Sequence, residues 1–102
     1  MADIADLHER ATGIRVAKVL PCGDDHIVLL DYYEASRAKV RANLRRVTST
    51  GDVVWAASPR SSSDIFVNVD WRDGNLAAWS WECFSITVDP ETGKLIDVTF
   101  GK

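Results

Sequence analysis

The sequence predicts an all-β protein with a short N-terminal helix. The strands form an antiparallel meander of about eight short segments, as a compact barrel or a two-layer sandwich. Three observations predict this. Runs rich in Val, Ile, Phe, Trp and Thr recur at roughly 8–12-residue spacing. Turn compositions of Gly, Pro, Asp and Ser separate them at 22–25, 49–52, 58–64, 72–75 and 89–94. Towards the C-terminus, apolar residues alternate with polar ones, the period of a strand with one buried face.

Taken in order, residues 2–11 read as the short helix, with Ile4 and Leu7 facing inward. A first strand is placed at 14–20. The next, at 26–31, is apolar at Ile27, Val28, Leu29 and Leu30, as a central strand covered on both sides is. Residues 33–42 carry Tyr33, Arg37 and Val40 at helical spacing and read as a helix or an ordered loop between hairpins. Strands at 43–48 and 53–57 flank the STGD turn. In the strand at 64–71, Ile65, Val67, Val69 and Trp71 oppose Asn68 and Asp70. Asp73-Gly74 then turns the chain into 76–81, because a type I′ turn needs positive φ at both positions. In 83–88, Phe84, Ile86 and Val88 alternate with Ser85 and Thr87, and in 94–100, Ile96, Val98 and Phe100 alternate with Asp97 and Thr99. Between these two strands, Pro90 presets φ for a turn that Gly93 closes in the left-handed region. Consecutive strands are expected to lie side by side.

Length sets a single β-rich domain over 1–102, which hides roughly 60–65% of its unfolded surface and holds one core. Hydrophobic residues at 46% and charged residues at 26% are ordinary for a folded chain. A net charge of −3 argues against a nucleic-acid or anionic-membrane binder, since both need a positive field. The first twelve residues have no secretory pattern, and no window is long and apolar enough for a membrane helix. The default expectation is a soluble cytoplasmic protein with Cys22 and Cys83 reduced.

Residues 43–102 carry a recurring pattern. Asn43-Leu44 opens a strand, Gly51-Asp52 turns it and Val53-Val54-Trp55 returns. Pro59 and Asp64 frame a loop. Leu76 and the AWSW run at 78–81 precede DPETGK and a last strand ending in Phe100, Gly101 and Lys102. This resembles a group of small uncharacterised bacterial all-β domains. It is similar, more distantly, to the hairpins of quinoprotein-type β-propeller blades. The resemblance spans about three-fifths of the chain and implies twisted antiparallel hairpins. It implies no cofactor and no activity, because a propeller needs several blades around a channel.

Catalytic chemistry finds no signature. Cys22 and His26 flank a turn, but two ligands make no structural zinc site. Ser61, Ser62 and Ser63 precede Asp64 without a nucleophile elbow, Asp24-Asp25 read as a solvated hairpin tip, and the glycines are scattered singly. No catalytic residue, metal ligand or cofactor is expected, and the chain is expected not to be an enzyme. Arg37, Lys39, Arg41, Arg45 and Arg46 cluster, without the interleaved aromatics of a nucleic-acid surface.

The tryptophans stand out. Four occur in 102 residues, three of them within 71–81. Trp71, Trp79 and Trp81, with Arg72 and Asp73, are the candidate binding residues. They form either core packing or an exposed platform, and Trp79 and Trp81, two apart, share a strand face. The residues name no function outright. They favour a non-enzymatic protein-interaction module, of which an inhibitor or immunity-type binder is one version. The partner is another protein or a second copy paired through a strand edge. A small-ligand-binding β-barrel is the alternative.

Overall fold

A computed structural model describes residues 3–101. It contains eight strands and two short helices: α1 Ile4–Thr12, β1 Val16–Cys22, β2 Asp25–Leu30, α2 Tyr32–Arg37, β3 Leu44–Val47, β4 Val53–Ala57, β5 Phe66–Arg72, β6 Asn75–Ser80, β7 Phe84–Val88 and β8 Leu95–Phe100. Each strand lies within about two residues of its expected place, the usual error at element ends. The strands make two antiparallel sheets, in order β1-β2-β3-β4 and β5-β6-β7-β8. The architecture is the two-layer sandwich, and the sheets do not close into a barrel.

Adjacency of consecutive strands holds within each sheet and fails once. β4 and β5 are not paired, because the loop at 58–65 carries the chain from one layer to the other. Asp64, fully buried, anchors that loop: its Oδ1 accepts the N–H of Ile65 at 3.0 Å and of Glu82 at 2.9 Å. The loop serines are tied down as well, Ser61 and Ser63 donating to Glu82 at 3.3 and 3.0 Å.

The core lies between the sheets. Leu20, Ile27, Leu29, Leu44 and Trp55 of the first sheet meet Phe66, Val69, Leu76, Ile86 and Val88 of the second. A second apolar cluster covers the opposite face of the first sheet, where Ile14, Val28, Leu30, Ala35, Val47 and Ile65 pack with Ile4, Val16, Val19 and Val40. Residues 27–30 are therefore buried on both faces, as a central strand between two layers must be. Helix α1 supplies Ile4 to this cluster. Asp3 caps its start by accepting the Asp6 N–H at 2.9 Å, and Gly13, at φ 72°, ends it. Of residues 33–42, expected as a helix or an ordered loop, the part to Arg37 belongs to a helix that begins at Tyr32, and Lys39 at φ 61° turns the chain away.

Three polar contacts lock the layers. Buried Asn43 donates from Nδ2 to the Leu30 carbonyl at 3.0 Å and the Phe66 carbonyl at 2.7 Å, and its Oδ1 accepts the Phe66 N–H at 3.1 Å. The Trp71 indole N–H donates to the Pro21 carbonyl at 2.8 Å, and the Trp55 indole N–H to the Pro90 carbonyl at 2.8 Å. Asp73 and Gly74, at φ 51° and 80°, form the expected positive-φ turn between β5 and β6.

Candidate functional site

The five candidate binding residues separate into four roles. Trp71 packs against the sandwich core and spends its N–H on Pro21. Asp73 is a turn residue. Arg72 and Trp79 stand on the outer face of the second sheet, with the guanidinium 4.9 Å from the ring centroid. With Ala77, Ser85, Thr87, Asp97 and Thr99 they line a shallow open groove across that face. β6 ends at Ser80, so Trp81 sits in the following turn and not on the strand with Trp79. Trp81 is 61% exposed, and its ring stacks on Tyr32 of α2 at 5.4 Å between centroids. Exposed Tyr33 lies beside Tyr32 in the chain, with Arg37 5.8 Å from its ring. The core and surface readings of the tryptophans each hold for part of the set.

Ion pairing occupies most charges near these aromatics. Arg15 pairs with Asp31 at 3.0 Å and reaches Glu34 at 3.8 Å, and Arg60 bonds Glu82. The basic cluster is dispersed. Arg45 and Arg46 alternate on β3 and so project to opposite faces. Arg46 bonds Asp25 at 2.9 Å and the Pro90 carbonyl at 2.8 Å, sealing one end of the sandwich. The hydrogen bond to Asp25 stabilises its charge and raises its pKa.

Cys22 belongs to the sandwich core, where burial pushes its thiol up. On β2, His26 lies opposite Pro21 while Cys22 lies opposite Asp25, so His26 projects to the face away from Cys22, Ile27 and the core. The pair therefore does not converge. Among the described residues, no group of three or more His, Cys, Asp or Glu side chains is placed to hold a metal ion. His8 is the buried residue of α1, with neither ring nitrogen hydrogen-bonded. Burial, and then the Arg45 guanidinium, lower its pKa.

One surface was not anticipated. The alternation in 96–100 implies a buried apolar face, yet Ile96 is 64%, Val98 39% and Phe100 74% exposed. Val98 pairs with Ile86 and Phe100 with Phe84, so both project on the core side of the second sheet. β8 is an edge strand there, and both side chains remain exposed. Phe84 meets Phe100 edge-on at 5.2 Å, and the Arg60 guanidinium lies 3.8 Å over the Phe84 ring. Alternation marks which residues share a face and carries no signal of whether a second layer reaches it.

The backbone of this edge is open too. Gly101 N–H donates to the Cys83 carbonyl at 2.8 Å. Hydrogen-bonded and non-bonded pairs alternate along an antiparallel ladder. Thr99 therefore bonds to β7, while Val98 and Phe100 direct their N–H and C=O groups outward.

Fold and surface together define a two-sheet antiparallel sandwich with a helix on one outer face and an uncovered apolar edge. The chain belongs to the family described as Domain of unknown function (DUF7957), which matches residues 12–100. All eight strands fall within the match, and α1 lies almost wholly before it. No curated protein and no solved structure matches the chain. No helix among the described residues is long and apolar enough to cross a membrane.

Proposed function

We propose that this chain is a non-enzymatic protein-interaction module that docks its partner along β8. The observation that carries this reading is the edge itself: a core-side apolar strip at Val98 and Phe100 that the sandwich leaves uncovered, beside outward-facing backbone groups. An added strand would pair with those groups while its own side chains cover the strip, the common mode of β-augmentation. The groove bearing Arg72 and Trp79 adjoins Asp97 and Thr99 of the same strand, so those two residues flank the docked strand on the outer face. Trp81, Tyr32 and Tyr33 form a second aromatic surface of the kind that anchors interfaces. Its neighbouring acids Asp31 and Glu82 are already paired, which disfavours an inhibitor that works by neutralising a basic partner.

The test compares tagged parent, Val98→Lys and Trp81→Ala in capture from cells that also express a differently tagged second copy. Each variant is first checked for a parent-like melting curve. Stoichiometric capture by the parent and by Trp81→Ala, lost in Val98→Lys, supports docking on β8. Capture lost in Trp81→Ala and kept in Val98→Lys moves the interface to the aromatic surface. Nothing captured by the parent, from the lysate or from the second copy, refutes the interaction reading.

A further inference from the structure

We infer that the occupant of the β8 edge is a second copy of this chain, paired antiparallel about a two-fold axis at Thr99, so that two four-stranded sheets become one continuous sheet. The inference rests on the docking reading above and names its partner.

The four sheet edges differ in how they are guarded. β1 carries Lys18, Pro21 and a bulge between Val16 and Lys18. β5 carries a bulge between Phe66 and Asn68 with Asn68, Asp70 and Arg72, and Lys18 of β1 reaches Asp70 at 3.7 Å. β4 is short and runs into Ser58-Pro59. Proline, lysine and bulges are the usual devices that prevent strand-to-strand association. β8 has an irregularity only at its start, opposite Thr87 and Val88. From Asp97 to Phe100 it has regular pairing with β7, no proline, no lysine and one charge.

That stretch is complementary to itself. In an antiparallel pair, residues directly opposite share a face. With the axis at Thr99, Val98 lies opposite the second copy's Phe100, and Phe100 opposite the second copy's Val98. All four of these groups face the same side and cover one another. They are also the residues whose backbone groups point outward, so each free N–H meets a free C=O across the axis. Thr99 lies opposite its own counterpart on the outer face, as a non-hydrogen-bonded pair. Each Asp97 lies opposite the second copy's Gly101, so the two carboxylates are held about 13 Å apart along the strands. Like charges therefore do not meet, which is the condition a foreign strand would have to satisfy by chance. An isologous contact of this kind closes as a dimer and does not propagate.

The experiment uses the full chain with Cys83→Ser, which removes the exposed thiol and leaves buried Cys22. Sedimentation equilibrium is run over a wide concentration range on this protein and on its Val98→Lys variant. Thr99→Cys and Asp97→Cys are then oxidised mildly, side by side. Directly opposed residues of a non-hydrogen-bonded pair come within disulfide reach, and residues 13 Å apart do not. The expected result is a reversible monomer–dimer equilibrium, weakened about tenfold or more by Val98→Lys, with a covalent dimer forming from Thr99→Cys and not from Asp97→Cys. A dimer in which the two cysteine variants cross-link at equal rates overturns the register and the pairing. A monomer at every concentration overturns self-pairing. If such a monomer still captures another protein in a Val98-dependent way, docking on β8 stands and only the second-copy assignment falls. If it captures nothing, both fall.

Discussion

Replacing Asn43 by Ala removes a buried clamp between the two sheets. The side chain is fully buried and makes three hydrogen bonds, at 2.7, 3.0 and 3.1 Å, to backbone atoms of Leu30 and Phe66. Truncation leaves two carbonyls and one N–H with no side-chain partner in a place water does not reach. An unsatisfied buried group costs about 1–3 kcal/mol. The Leu30 and Phe66 carbonyls each keep a second lone pair, so the low end applies to them and the Phe66 N–H carries the largest share. The expected loss is about 3–5 kcal/mol, a large fraction of the ~5–15 kcal/mol that holds a domain together. Urea unfolding followed by tryptophan fluorescence, with Asn68→Ala as an exposed comparison expected to lie within about 0.5 kcal/mol of the parent, measures it. A loss below about 1 kcal/mol for Asn43→Ala would refute the view that this residue couples the layers.

Other perturbations separate packing, strain, titration and surface. Gly93 sits at φ 77°, and a Cβ there would lie 2.6 Å from ring atoms of Trp55; Gly93→Ala is expected to cost about 2–4 kcal/mol, while Gly74→Ala, which meets no atom within 4 Å, costs about 1–2 kcal/mol from backbone strain alone. Chemical denaturation of the two variants side by side checks the difference. His8 has a lowered folded-state pKa, so the unfolded chain takes up its proton first as pH falls. On its account stability is complete above about pH 6.5 and declines below it, by at most about 1.4 kcal/mol per pH unit. Asp31, held below the usual carboxylate range chiefly by the Glu34 N–H, stabilises the fold fully above its ordinary pKa and loses that contribution only as pH falls below it, so the two windows are distinct. Unfolding midpoints from pH 5 to 8 should lose their slope in His8→Leu. Trp81→Ala, on the exposed stack with Tyr32, should change stability by less than about 1 kcal/mol, against a loss of about 3–5 kcal/mol for core Trp55→Ala, read by thermal melts.

The strands were legible because local chemistry specifies them. Asp73-Gly74 and Gly93 sit where the backbone demands positive φ, and the unbroken apolar run at 27–30 marks a strand between two layers. The division into two sheets was not legible, because whether β4 pairs with β5 or hands the chain to another layer depends on where Asp64 and Asn43 find partners far along the sequence. The candidate residues divided for the same reason. Trp71, Trp79 and Trp81 look alike in sequence, and their fates follow from Pro21, Arg72 and Tyr32, which are distant or on other elements. The β8 strip carried a correct periodicity, but its exposure depends on how far the opposing sheet extends.

Residue-by-residue amide exchange in β8 tests most directly whether its outer edge is the docking surface. In dilute monomer, Thr99, bonded to β7, should exchange slowly, and Val98 and Phe100, directed outward, should exchange fast. Raising the protein concentration, or adding a captured partner, should slow Val98 and Phe100 selectively. Slow exchange at both residues in the most dilute sample would mean that the edge is already covered, and fast exchange in the bound state would mean that the partner docks elsewhere; either result contradicts the assignment of β8 as the interaction surface.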